Sequence, residues 1–294
     1  MDTRRDFLFS SAMALLGMPL ARGARLGGSL DGKSIHERVA QLEDESGGRI
    51  GVGLLESGSG RMVGYRLDEP FPMCSTFKVL AVAAVLARVD QGKEQLRRTV
   101  AISQENILKY APVTSQHVGP AGMTIEELCG AAIMLSDNTA ANLLLTSLGG
   151  PAAVTSFARS IGDSHTRLDR TEPTLNEAAP GDLRDTTTPR AMATDLGSLL
   201  LGTVLSASSR GMLKEWMVAC RTGKNKIRSA LPSDYLVGDK TGSGERNTSN
   251  DVAVIWPPQR PPLVLTVYLT GIKTGNADAQ AALIAEVTRT CLSR

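Results

Sequence analysis

The chain has 294 residues, with 32 Lys+Arg against 30 Asp+Glu, 3 His, 42% hydrophobic and 21% charged residues. That balance is ordinary for a folded protein and excludes fibrous repeats and wholesale disorder, and a net charge of +2 without a basic run gives no footprint for nucleic acid. Scattered histidines, with no H-E-x-x-H or C-x-x-C spacing, argue against a metal site, and no cofactor is implied.

The N-terminus reads as an address. Arg4-Arg5 precede an apolar stretch from Phe7 to Leu20, too short for a bilayer anchor but suited to a signal-peptide core. Paired arginines followed by Phe-Leu look like a twin-arginine export signal, with Ala21-x-Gly23 as the cleavage site. We therefore expect residues 1–23 to be a removed signal peptide and the twin-arginine export machinery to be a transient partner. The mature chain is expected to be periplasmic or secreted, without stable membrane insertion. Cys74, Cys129, Cys220 and Cys291 are widely spaced, and export after folding in a reducing cytosol favours free, buried thiols over disulfides.

Ser34-x-x-Glu37 has a capping-box pattern, and Ile35, Val39 and Leu42 share a helical face that stops at Gly47-Gly48. Residues 49–56 and 61–66 read as strands joined by the Gly-Ser-Gly turn at 58–60. The run 76–88 is dense in Ala, Leu and Val and predicts a buried helix. Further helical patterns cover 124–135, 139–148, 151–161, 189–205 and 209–219. Strand character returns only at 236–240, 252–256 and 263–270, before a closing helix over 277–292. Five strands in that order can form one antiparallel sheet. The fold class expected is a two-domain α+β (α/β) chain: a five-stranded antiparallel sheet flanked by the terminal helices, with an inserted all-α domain. Residues 24–68 and 220–294 would form the discontinuous α/β domain and 69–219 the α domain. The interval 163–188 lacks periodicity and is expected to be a functional loop that Arg170 and Asp185 could close.

Three short patterns carry chemistry. Ser75-x-x-Lys78 puts a hydroxyl and an amine one turn apart at a helix start, where a desolvated lysine can take a proton and backbone N–H groups can hold an oxyanion. Ser136-Asp137-Asn138 can present a second hydroxyl and a carboxamide from a short loop; simple N-capping is the alternative. Lys240-Thr241-Gly242 sits on the first of the late strands, after Leu236-Val237-Gly238-Asp239, where Lys and Thr make a carboxylate corner, an edge strand can pair with an amide, and Gly allows close approach of a substrate. Lys273-Thr274-Gly275 repeats the last pattern, past the final strand, and reads as loop.

In that order the three motifs resemble those of the penicillin-recognising serine enzymes, and Glu172-Pro173-Thr174-Leu175-Asn176 resembles the fourth motif of class A β-lactamases. The resemblance covers essentially the whole mature chain. It implies hydrolysis of penicillins and cephalosporins through a Ser75 acyl-enzyme, β-lactam resistance, and a monomer. Lys78 would be the proton partner of Ser75, Ser136 would pass a proton to the lactam nitrogen, and Glu172 with Asn176 would hold the hydrolytic water. Either Lys78 or Glu172 could start acylation. Asn138 would contact the substrate's side-chain amide, Lys240 and Thr241 its carboxylate, and Tyr110 would wall the cleft. Backbone N–H groups of Ser75 and Ser243 would form the oxyanion hole. Against the family pattern, Ser249 stands where many members place an Arg, with Lys226 near another position that supplies that charge. Val82 and Gly244 stand where disulfide partners of Cys129 and Cys74 occur in some members. The rival readings are a D,D-peptidase of cell-wall synthesis and a non-catalytic penicillin sensor; Glu172 and Asn176 speak against the former.

Overall fold

Alternation along the last strands fixes which layers form. In β9 (Leu263–Thr270), Leu263, Leu265, Val267 and Leu269 enter one apolar cluster while Val264 and Tyr268 enter another. In β8 (Thr248–Trp256), Ala253 and Ile255 go one way and Val252 and Val254 the other. A sheet buried on both faces needs a layer of helices on each. The computed structural model describes residues 32–273 and 275–293 and has those layers. The expected signal segment, residues 1–23 with Ala21-x-Gly23, lies outside the described residues.

The five-stranded sheet runs β2-β1-β9-β8-β7, with every neighbouring pair antiparallel. Here β1 is Arg49–Glu56, β2 Arg61–Tyr65 and β7 Leu236–Gly244. Helices α1 (Gly32–Ser46) and α8 (Ala277–Leu292) cover one face around Ile35, Val39, Ile284 and Val287. The other face meets α6 (Pro189–Leu200), and the same apolar cluster takes in α2 (Phe77–Asp90), whose first ten residues are all buried. Around α2 pack α3 (Ile125–Met134), α4 (Asn138–Leu148), α5 (Pro151–Ser160) and α7 (Ala207–Val218). The fold is a two-domain α+β arrangement. All four cysteines are free and buried.

Several boundaries differ from expectation. Helix α1 already begins at Gly32, so Ser34 lies inside its first turn rather than at its cap. Helix α6 ends at Leu200 instead of continuing to 205, because the chain must turn to bring Ser206 to the cap of α7. There the Asp90 carboxylate takes bonds from Ser206 N (2.8 Å), Ser206 Oγ (2.7 Å) and Ser209 Oγ (2.6 Å). Strands β7 and β8 reach four residues further than predicted, pairing Gly244 with Thr248. Two short sheets were not expected: β3 (Phe71–Pro72) with β6 (Thr186–Thr187), and β4 (Thr99–Ile102) with β5 (Gly119–Thr124). Of the second K-T-G copy, Lys273 and Gly275 lie between β9 and α8, while Thr274 falls outside the described residues.

Candidate active site

A tight 3-10 turn, Cys74–Thr76, runs straight into α2, with Cys74 in the left-handed region (φ +46°). It seats Ser75 at the helix entrance and Lys78 in the first helical turn, with Lys78 wholly buried. The turn packs against β7, one of the two edge strands of the sheet. Contact there is backbone-close: a Cβ on Gly242 would sit 2.7 Å from Met73 O, and one on Gly244 would sit 2.6 Å from Cys74 Sγ and 2.8 Å from Asn176 O. The glycine of K-T-G thus accommodates the nucleophile turn, not a substrate as the sequence suggested. Strand alternation turns Gly242 away from its neighbours Thr241 and Ser243, which border the cleft.

Between α3 and α4 the chain turns through Ser136 (φ +58°). Asp137 caps α4 through Ala140 N (2.9 Å) and binds Val113 N and Thr114 N, both at 2.9 Å, so it fastens the 110–117 segment. Asn138 N donates to Tyr110 O (3.0 Å), which brings that half-exposed ring to the rim. Capping is therefore the work of Asp137, while Ser136 and Asn138 face the cleft.

Ser75, Tyr110, Ser136 and Asn138 line a cavity of about 660 Å³, and Asn176, Thr241 and Ser243 border the same space. Lys78, Glu172 and Lys240 lie buried beside it. Ser75 Oγ donates to Glu172 Oε1 (3.0 Å). Lys78 Nζ lies 3.1 Å from the same oxygen and donates to Ser136 O (2.8 Å), Asn138 Oδ1 (2.7 Å) and, more weakly, Ser136 Oγ (3.3 Å). Lys240 Nζ donates to Ser136 Oγ (2.9 Å) and to its neighbour's carbonyl, Thr241 O (2.7 Å). A continuous chain of hydrogen bonds thus joins the nucleophile, both lysines and the second hydroxyl. Burial lowers the pKa of Lys78, against the opposing pull of Glu172. Burial, and then repulsion from Lys78, brings Lys240 down to about 7.

The unpatterned segment after α5 is held at both ends. Arg170 Nε meets Asp185 Oδ2 at 2.6 Å, and Asp185 Oδ1 accepts from Asp169 N (2.8 Å) and Arg170 N (2.9 Å). Inside it, Asn176 Nδ2 donates to Glu172 Oε2 (2.6 Å), leaving Asn176 Oδ1 without a partner among the described residues. Glu245 N, in the β7–β8 turn, holds Asn176 O (2.9 Å).

Sequence reasoning missed Asn142, whose carboxamide brackets the Glu172 backbone, accepting from Glu172 N (3.0 Å) and donating to Glu172 O (2.8 Å). It sits one helical turn after Asn138, a spacing that could have marked it. Thr222, whose Oγ1 lies 2.6 Å from Thr241 Oγ1, carried no signal. Ser249 is buried in β8, and Lys226 borders the cleft with Nζ donating to Asn250 O (3.0 Å). Among the described residues no group of three or more His, Cys, Asp or Glu is placed to hold a metal.

Residues 34–294 match the model of the β-lactamase enzyme family. The chain is 48% identical to β-lactamase OXY-2 of Klebsiella oxytoca over 91% of its own length and 90% of that protein's. It is 50% identical to β-lactamase CTX-M-8 of Citrobacter amalonaticus, over 80% of this chain and 81% of the relative. Among solved structures, an ancestral (GNCA) class A β-lactamase superposes with a TM-score of 0.85 at 61% identity, over 87% of this chain and 98% of that one. With the fold and the buried Ser-Lys-Glu arrangement, these similarities make the chain a member of the class A serine β-lactamases, hydrolases that open β-lactams and confer resistance to them.

Proposed function

We propose that Ser75 Oγ attacks the lactam carbonyl carbon, that the C–N bond breaks, and that the ester on Ser75 is hydrolysed by water activated at Glu172. The observation that carries this reading is the Glu172 carboxylate, held within 3.0 Å of Ser75 Oγ and braced by Asn176 at 2.6 Å. Glu172 takes the hydroxyl proton in acylation, since the Lys78 ammonium is engaged by Ser136, Asn138 and Glu172 instead. Lys78 then connects Glu172 to Ser136, which passes a proton to the departing nitrogen. In deacylation a water donates to Glu172 and to the unengaged Oδ1 of Asn176, its oxygen attacks the ester, and the proton returns to Ser75. Backbone N–H groups of Ser75 and Ser243 hold the carbonyl oxygen; each such donor is worth about 10²–10³ in rate. Lys240, Thr241 and Ser243 receive the ring carboxylate, with Lys226 supplying charge from the same side, and Asn138 the side-chain amide. Tyr110 walls the opening. Penicillins and cephalosporins are the substrates.

The protein works as a monomer in the periplasm after twin-arginine export and removal of residues 1–23, a reading supported by Arg4-Arg5 and the apolar run behind them. No helix among the described residues is long and apolar enough to cross a membrane. Residues 24–68 with 220–294, and 69–219, are read as its two domains, a division supported by an apolar cluster drawn wholly from the first pair of segments.

Intact-protein mass spectrometry with excess benzylpenicillin tests the mechanism. Return to the free mass within seconds as penicilloate accumulates is the expected result. A persistent adduct on Ser75 would overturn the deacylating role of Glu172 and leave a penicillin-binding peptidase or sensor.

A further inference from the structure

The wall of the cleft beside the carboxylate corner is cationic. The turn after α7 is pinned there by its backbone and one hydroxyl: Arg221 N donates to Met134 O (3.0 Å), Lys226 N to Gly223 O (3.0 Å), and Thr222 Oγ1 meets Thr241 Oγ1 at 2.6 Å. Arg221, Lys224 and Lys226 all border the cavity, against a single carboxylate, Asp278 at the start of α8. Lys226 is already committed: it is buried, donates to Asn250 O, and is attracted by the buried Asp251. Arg221 and Lys224 are different. Both are exposed, and neither side chain makes an ion pair or hydrogen bond among the described residues. A fixed backbone that presents two uncommitted cations is an electrostatic selector, because charged clefts concentrate ligands of opposite sign.

We propose that Arg221 and Lys224 form a second anion-recognising arm of the cleft, selecting β-lactams that carry a further negative charge on the ring side, next to the ring carboxylate. The inference rests on the substrate orientation given above, with the carboxylate at Thr241 and Ser243. Thr222 abuts Thr241, so a substituent on the ring carbon next to the one bearing the carboxylate points along the 221–224 turn. A side-chain amide at Asn138 points away from it. Exposed pairs of this kind contribute modestly, so two together give a discrimination of about tenfold.

The test uses three cephalosporins with one common acyl side chain and non-leaving 3-substituents that are carboxylated, neutral or quaternary ammonium. The full mature enzyme is expected to show kcat/KM for the anionic compound about tenfold above that for the cationic one, carried by KM and shrinking as salt is raised. R221A/K224A brings the ratio towards one, and R221E/K224E inverts it; both sites are exposed, so folding is not at stake. Equal kcat/KM across the series, or a ratio that survives charge reversal, overturns this inference while leaving the hydrolytic mechanism intact. Failure to turn over any of the three would instead strike at the mechanism.

Discussion

Lys240 is a fully buried ammonium, and the charge that acts on it most is another ammonium, Lys78. Burial and that repulsion lower it to about 7, so in the free enzyme it loses its proton as pH rises through neutrality. The protonated form can meet a substrate carboxylate; the neutral form cannot. Since kcat/KM reports the free enzyme, it is expected to fall above about pH 7 by up to tenfold per unit. Arginine keeps its charge throughout this range, so Lys240→Arg, whatever its absolute rate, should lose the alkaline limb. A wild-type profile flat from pH 6 to 9 would show that Lys240 is charged without substrate. Glu172→Ala tests the neighbouring role: acylation by benzylpenicillin should slow yet remain measurable, and the acyl-enzyme should accumulate, because a placed base contributes about 10²–10⁴. Rapid turnover by that variant would remove Glu172 from the mechanism. The residues of these arguments were legible because each belongs to a short run with a chemical logic of its own. Asn142, Thr222 and the fastening role of Asp137 were not, since their partners Glu172, Thr241 and Thr114 are brought to them only by folding.

Elements were legible where burial and local pattern agree. Helix α2 announced itself by an unbroken apolar run, and β9 by eight strand-forming residues that pair along their whole length with β1. The sequence pattern predicts only 236–240 of β7, because Gly242, Ser243 and Gly244 have poor strand propensity. Pairing of Ser243 with Ser249 and Gly244 with Thr248 overrides it. The two-residue strands β3 and β6 lie below what any pattern can mark, yet they tie the end of the long loop to the segment before Ser75, with Met73 N donating to Asp185 O (2.9 Å). That connection makes Asp185 a hub: its carboxylate closes the loop on Arg170 while its carbonyl supports the nucleophile turn. Asp185→Asn keeps the shape but weakens the charge-assisted bond, leaving Arg170 with Glu177 and Asp182. It should lower stability by about 1–3 kcal/mol, increase hydrogen exchange across 169–185, and slow deacylation more than acylation. Unchanged exchange across that segment would show that the 3-10 turn and Asn142 hold the loop without the clasp.

Across the whole molecule, the layer of helices is joined to the loop by a pair of acids. Asp195 on α6 and Asp163 after α5 are both buried, and their Oδ2 atoms have no other partner among the described residues. Two ionised carboxylates cannot share that space, whereas one proton between them satisfies both. Asp163 is the ionised member, held below the usual carboxylate range despite burial by bonds from Thr166 and His165 N. Asp195 keeps the proton: burial first, then the charge of Asp163, push it up to about 9, with Arg159 opposing. The consequence for stability has a definite sign. Between the unfolded pKa of about 4 and the folded value of about 9, the native state holds a proton that the unfolded chain has released. Stability must therefore fall as pH rises through that window, by at most about 1.4 kcal/mol per unit from this group. Asn at 195 can donate to Asp163 at any pH and titrates nowhere in the window. Asp195→Asn should therefore gain stability over the wild type as pH moves from 5 to 8. Denaturant midpoints of both proteins at the two pH values measure the difference, and parallel pH dependence would place the proton elsewhere. Since Asp163 binds the backbone that enters the 163–188 loop, wild-type deacylation should also weaken as pH passes 9, and the Asn variant should lack that decline.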